Sequence, residues 1–332
     1  MEERISNNIK TMSFIMTCFM VFYHCGDFSG ENNLNCVLNN CFNYMGFVVM
    51  SYFFSVTGFL LMKGLNVHNS IFKIKRRFFS LLLPYVIWQT ICAIPYLLRG
   101  TMSLQEYLIQ NYSLKTFPIN GPLWYLYAIF LLSIFCPILC VLYSNRQSAF
   151  LVTIFFTFFS QLVNSLPFES VISIANYGLI SNILRYMPAY CVGMMLGRFF
   201  DDSKENLISY IVAIMICVVC LIVVRWDDSY YLVMVQLIPI MVVLFFSNIS
   251  ILNRAKIYKI TFLIYALHGI VLSYFLSAFK NFNWGIAVSV ENILVRILML
   301  LLTVVISTAI YLVLGRISPK VLKLITGGRC VA

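Results

Sequence analysis

His24 closes the first long apolar run of this chain, inside Phe22-Tyr23-His24-Cys25-Gly26, with Asp27 three residues beyond it. An imidazole titrates near neutral pH, which suits proton transfer or the brief carriage of an acyl group. At membrane depth such a group is costly unless it meets a partner or water, so it counts as a candidate for function by default. Other polar and aromatic residues gather at the same end of neighbouring apolar runs: Trp124, Tyr125, Arg185, Glu291 and Arg296, while His268 falls midway along a further run. At the opposite end lie Lys10, Lys75, Arg76 and Arg77, cations of the kind that grip phosphate oxygens. Lys10 precedes His24 by fourteen residues, about 21 Å of helix and within about 40° of the same face, so the two are candidates to line one passage. Each has a bland alternative. Trp124 and Tyr125 are equally readable as interfacial belt aromatics. Arg185, Glu291 and Arg296 fit interhelical ion pairs, the basic run at 73–77 fits a topology signal, and His268 fits a helix-to-helix hydrogen bond.

Composition dictates what must position these residues. Of 332 residues 61% are hydrophobic and only 11% charged, with a mean hydropathy of +0.89, too little polar surface for a soluble globule. Against the ~20 apolar residues needed to span hydrocarbon, windows fall at 11–24, 42–62, 78–98, 122–143, 149–166, 183–199, 207–224, 231–247, 257–278 and 292–315. The expectation is therefore an all-α polytopic membrane protein of about ten transmembrane helices, one integral-membrane domain over 1–332. The first span lacks a small-residue cleavage site behind it and reads as an uncleaved helix. Pro167 and the run 173–181 leave a surface loop or a re-entrant piece open between the fifth and sixth spans.

Seventeen of the 23 Lys and Arg fall on one side of this arrangement, including Lys73, Lys75, Arg76, Arg77, Arg254, Lys256, Lys259, Lys320 and Lys323. Arg99, Lys115, Arg225 and Lys280 fall on the other, and Arg185 and Arg296 lie within spans. Positive loops stay inside, so both termini are expected in the cytoplasm. The net charge of +11 is accounted for in this way, without a nucleic-acid partner. Eleven cysteines show no CxxC or Cys/His metal spacing, and most sit in apolar runs as small hydrophobes. Cys25, Cys36 and Cys41 bracket the first outer loop, where a disulfide is open if that compartment oxidises.

The order of local patterns resembles the membrane acyltransferase 3 family. It runs from Asn8-Ile9-Lys10-Thr11 through Phe22-Tyr23-His24, Phe53-Phe54-Ser55-Val56-Thr57-Gly58-Phe59-Leu60 and Lys75-Arg76-Arg77 to Leu83-Pro84-Tyr85-Val86-Ile87-Trp88. Pro122-Leu123-Trp124-Tyr125-Leu126, Arg185-Tyr186 with Gly193 and Gly197, and Phe262-Leu263-Ile264-Tyr265-Ala266-Leu267-His268 complete it. The resemblance implies an O-acyltransferase of the cell membrane that moves an acyl group, expected to be acetyl, from cytoplasmic acyl-CoA to a hydroxyl of a cell-surface glycan or lipid-linked sugar. It implies His24 as base or acyl relay. Lys10, Lys75, Arg76 and Arg77 would meet the donor; Asp27, Trp124, Tyr125, Arg185, Arg296 and His268 would meet substrate. Acyl-CoA would be a co-substrate, with no other cofactor and no metal. The pattern departs in places: the family's arginine eleven residues before the histidine is Ser13 here, and the second arginine of the paired motif before the third span is Ser80.

Two other classes share these features. A secondary transporter is also a bundle with internal charges, although no matching pair of Gly/Pro-broken helices marks two halves. A sensor or transport domain that keeps the fold without the chemistry is the other. Oligomeric state stays open.

Overall fold

The computed structural model describes residues 3–25, 33–165, 178–200, 228–245, 249, 256–280 and 288–329, and every regular element among them is a helix. In chain order these are α1 (Glu3–His24), α2 (Asn33–Met62), α3 (Ser70–Arg77), α4 (Leu83–Leu98), α5 (Leu104–Tyr112), α6 (Trp124–Ile134) and α7 (Cys136–Leu142). There follow α8 (Arg146–Ser165), α9 (Gly178–Phe199), α10 (Asp228–Phe245), α11 (Thr261–Lys280), α12 (Val288–Ile317) and α13 (Pro319–Ile325). Among the described residues four helical stretches are long and apolar enough to cross a bilayer: Leu34–Met62, Ser70–Leu98, Tyr258–Ala278 and Asn292–Ile317. Nine of the ten expected windows overlap described helices, though only four of these, or five with the bent pair counted as one span, are long and apolar enough to cross; the window 207–224 lies outside the described residues, as do Pro167 and most of the run 173–181.

Two expected spans differ from the reading in shape. The window 122–143 is two helices, Gly121–Ile134 and Cys136–Leu142, bent by 63° at Phe135. Pro137 sits in the first turn of α7, where its missing N–H is harmless but its ring excludes a straight continuation from α6. The window 78–98 begins earlier, at Ser70, because α3 and α4 are joined through a π-helical turn at Phe78–Leu82. Pro84 explains the turn: a proline cannot donate to the carbonyl four residues back and crowds it, here that of Ser80, so the helix widens locally.

Close approach between helices is bought with glycine. In α9, Gly193 and Gly197 lie a turn apart, and a Cβ on either would strike the backbone carbonyl of Ser55 or Phe59 in α2. Gly58 of α2 answers in kind, facing the carbonyl of Tyr190. Apolar attraction between helices is weak in lipid, so this intimate backbone contact supplies the packing. Around it Phe54, Trp124, Tyr186 and Tyr190 form a buried aromatic cluster, with Phe54 and Tyr186 stacked 5.3 Å apart.

Buried amides tie the remaining helices to the segment before α6. Gln89 of α4 exchanges two hydrogen bonds with the backbone of Asn120, whose own side chain donates to the carbonyl of Ala266 in α11 at 3.1 Å. At the other end of the bundle α1 is pinned by Asn8, which donates to the carbonyl of Val243 at 3.0 Å, and by Ile9, whose carbonyl accepts from Tyr52. Outside the spans, α5 opens with a capping box: Ser103 accepts from the Glu106 N–H and its own N–H donates to the Glu106 carboxylate, holding that carboxyl below the usual range.

Candidate active site

His24 is the last residue of α1, and its ring centre lies 5.1 Å from that of His268 in α11. Both imidazoles are thus brought together from helices more than 240 positions apart in the chain. His268 is fully buried. Its Nδ1 lies 2.6 Å from the carbonyl oxygen of Tyr265, one turn earlier, and since a carbonyl only accepts, Nδ1 carries the proton. Nε2 is left as a lone pair that finds no hydrogen-bond partner among the described residues. A buried acceptor without a donor is costly, and a pocket for an incoming O–H or N–H is the situation in which that cost is recovered.

The helix end carrying His24 is held by Arg296. That guanidinium, 1% exposed, donates to the carbonyl of Phe22, to Asn292 Oδ1 at 2.7 Å and to Asn39 Oδ1 at 3.5 Å, and lies 4.2 Å from the centre of the Phe42 ring. A cation at the C-terminus of α1 satisfies an orphan carbonyl and complements the helix dipole. Arg296, expected among the substrate-binding residues, makes each of these contacts with the scaffold at the end of α1.

Toward the other end of α1 a cavity of about 320 Å³ opens among α1, α2, α6 and α11. Four cations border it, each from a different element: Lys10 of α1, Arg77 at the end of α3, Lys259 before α11, and Arg329 behind α13. Among the described residues no Asp or Glu lines it. Ser13, Thr17, Thr57 and Tyr265 line it as well. Tyr125 lines it too, sharing a short hydrogen bond with Thr57 and donating to the carbonyl of Phe53 at 2.8 Å. Tyr265 belongs to both regions, because its side chain lines the cavity and donates to Pro122 at 2.6 Å while its carbonyl holds His268. Thr17, the lining residue of α1 nearest to His24, precedes it by two helical turns, about 10 Å.

The structure divides the other expected residues. Lys10, Arg77 and Tyr125 meet in the cavity, which puts Tyr125 with the cations instead of in an outer belt. Lys75 and Arg76 do not join them; successive residues of a helix point about 100° apart, and these two line a separate groove beside α13. Trp124 is buried against Tyr186 and Phe54 in the aromatic cluster, and neither borders the cavity. Arg185 is exposed, its guanidinium 5.5 Å from the Phe47 ring centre. Asp27 and the side chain of Glu291 lie outside the described residues. Cys25, Cys36 and Cys41 are free thiols, Cys25 donating to Val21. Among the described residues no cluster of His, Cys, Asp and Glu has the arrangement of a metal site.

Sequence reasoning passed over Lys259, Tyr265 and Arg329 as site residues. Arg329 reaches the cavity because Gly327 and Gly328 both adopt positive φ, 60° and 80°, and turn the chain back after α13. Gly327 lies so close to the backbone of Ser80 that a Cβ would come within 2.5 Å of its carbonyl oxygen. Arg329 then sits 4.6 Å from the Phe262 ring centre and donates to Thr326. The adjacent glycines were the readable signal, since paired left-handed residues reverse a chain cheaply only as glycine.

No curated protein and no solved structure matches the chain significantly. A family described as an acyltransferase domain matches residues 8–312, a stretch that contains both histidines and three of the four cavity cations. With apolar helices long enough to cross a bilayer and a match that runs nearly end to end, the chain belongs to this family of membrane acyltransferases.

Proposed function

We propose that the protein transfers an acyl group, acetyl by preference, from cytoplasmic acyl-CoA to a hydroxyl of an extracytoplasmic glycan or lipid-linked sugar. The observation that carries this reading is the pairing of half-buried His24 with fully buried His268 at one end of a helix whose other end borders a cavity ringed by Lys10, Arg77, Lys259 and Arg329. Four cations with no acid among them suit the phosphates of a nucleotide thioester. Tyr265 links the two regions, lining the cavity while its carbonyl accepts from His268. The charge asymmetry of the loops supports donor inside and acceptor outside.

In the chemical step the acceptor oxygen attacks the thioester carbonyl as His24 takes its proton. The C–S bond then breaks, and the proton passes to the departing thiolate, which leaves as free thiol. His268 sits where a neutral imidazole with its lone pair on Nε2 accepts a hydrogen bond from the protonated partner, steadying the charge that forms. The four cations orient the donor, and the scaffold around Phe22 fixes the direction of His24.

The test is coenzyme A release by purified protein in the presence of an acceptor glycan. His24→Ala is expected to abolish release while membrane level and thermal stability stay normal. His268→Ala lowers kcat with little change in KM for acyl-CoA. Undiminished release in His24→Ala overturns the reading, and solute flux without thioester turnover points to a transporter.

A further inference from the structure

A second recess lies at the edge of the bundle, separated from the cavity by the turn at Gly327 and Gly328. We propose that this groove, between α3 and α13, is a binding site for the headgroup of an anionic phospholipid in the cytoplasmic leaflet. Its open space is about 620 Å³, room for a phosphate-bearing headgroup and the glycerol behind it. Lys75 and Arg76 come from α3, Lys320 and Lys323 from α13, and no Asp or Glu is among the lining residues.

Topology puts the groove at the bilayer boundary. α3 begins the apolar stretch Ser70–Leu98, and α13 follows directly on the apolar stretch Asn292–Ile317, so both walls sit where a span meets water. The side chosen by the loop charges is the cytoplasmic one, where anionic lipids attract basic residues next to spans. Beside the four cations Phe72 is 68% exposed, Phe79 53% and Leu324 46%. Large apolar side chains that bare are unfavourable in water and favourable against acyl chains, and cations beside them mark a helix lying in the interface. A soluble phosphate would satisfy the cations and leave these side chains wet; a lipid satisfies both.

The walls are rigid enough to make a site instead of a diffuse patch. The indole of Trp88 donates to the carbonyl of Ile325 at 3.0 Å, locking α13 to α4, and Gly327 abuts the Ser80 backbone at the π-helical turn. The placement of Lys320 and Lys323 three residues apart on α13 aims both into the recess that Lys75 and Arg76 border from the facing helix. This inference stands whether or not the chain transfers acyl groups.

Native mass spectrometry of the full-length protein, titrated with phosphatidylglycerol or phosphatidylcholine in detergent, tests it. Wild type is expected to retain phosphatidylglycerol in preference to phosphatidylcholine. Because a basic residue near an anionic surface is worth about a fivefold change in binding, the double variant Lys320→Gln/Lys323→Gln should bind phosphatidylglycerol about 25-fold more weakly. Both lysines are exposed, so folding is undisturbed. Phe72→Gln, which keeps all four charges, should weaken lipid retention without altering binding of inorganic phosphate. Equal retention of the two lipids, or an unchanged double variant, overturns the proposal. So does displacement of the lipid by millimolar inorganic phosphate or by acetyl-CoA, results that would make the groove a free-anion site or an annex of the donor cavity respectively.

Discussion

What a cation does here depends on the backbone behind it. Arg296 donates to Phe22, Asn292 and Asn39 at the end of α1, whereas Arg77 and Arg329, the latter also donating to Thr326, line the cavity. On the proposed reading the latter two hold donor phosphates, and a hydrogen bond from a charged group is worth about 1.5–3 kcal/mol, or roughly tenfold to a hundredfold in affinity. Arg77→Ala and Arg329→Ala should each raise the apparent KM for acetyl-CoA by at least about tenfold and leave that for the acceptor unchanged. With acetyl-pantetheine, which lacks the nucleotide phosphates, wild type and variants should be equal. Steady-state kinetics with both thioesters decides the matter, and a KM effect of equal size on donor and acceptor sinks the assignment. The sequence singles out His24 as an imidazole at a span end, and the structure sets it beside His268, a pairing that the 244-residue separation hides from the sequence. Arg329 was not legible there: as one of several basic residues near the end of the chain it looked like a topology signal, and only the turn at Gly327 and Gly328 sends it inward.

The apolar middles of the described helices were legible because runs of apolar side chains long enough to cross hydrocarbon have few other uses, whereas the polar first turns of α1 and α2, which start at Glu3 and Asn33, were not. Shape was less so. Nothing in the uniformly apolar stretch 122–143 hints at a 63° bend except Pro137, which in a membrane helix is often tolerated, and the π-helical turn at Phe78–Leu82 depends on the crowding that Pro84 imposes on Ser80. The contact between α2 and α9 supplies a prediction of its own. Gly193→Ala places a methyl group on the Ser55 carbonyl, so the helices must separate; a destabilisation of about 1–3 kcal/mol or more is expected. Gly121→Ala, where a Cβ meets nothing within 4 Å, is the matched control. Thermal unfolding in detergent should drop for the first and hold for the second, and equal midpoints would show that this crossing does not carry the packing.

For the molecule as a whole, orientation governs every assignment of donor and acceptor side. In a background where the exposed Cys36 and Cys41 are serine, a cysteine introduced at His68, in the basic connection after α2, should react with an impermeant maleimide only after cells are opened. One at Thr101, between α4 and α5, should react on intact cells. The reverse pattern would invert the topology and with it the proposed direction of transfer. The family match ends at residue 312, so Lys320, Lys323 and Arg329 lie beyond the shared pattern.

α1 contains neither glycine nor proline from Glu3 to His24. It therefore cannot telescope, and the fourteen residues between Lys10 and His24 fix a separation of about 21 Å. A rod of that kind works as a ruler. On the proposed reading it admits, as productive donors, thioesters whose reactive carbon hangs on a slender tether long enough to reach the imidazole while the charged anchor stays below. Short acyl carriers would bind yet fall short, and lengthening the rod by one turn of four alanines would turn good donors into inhibitors.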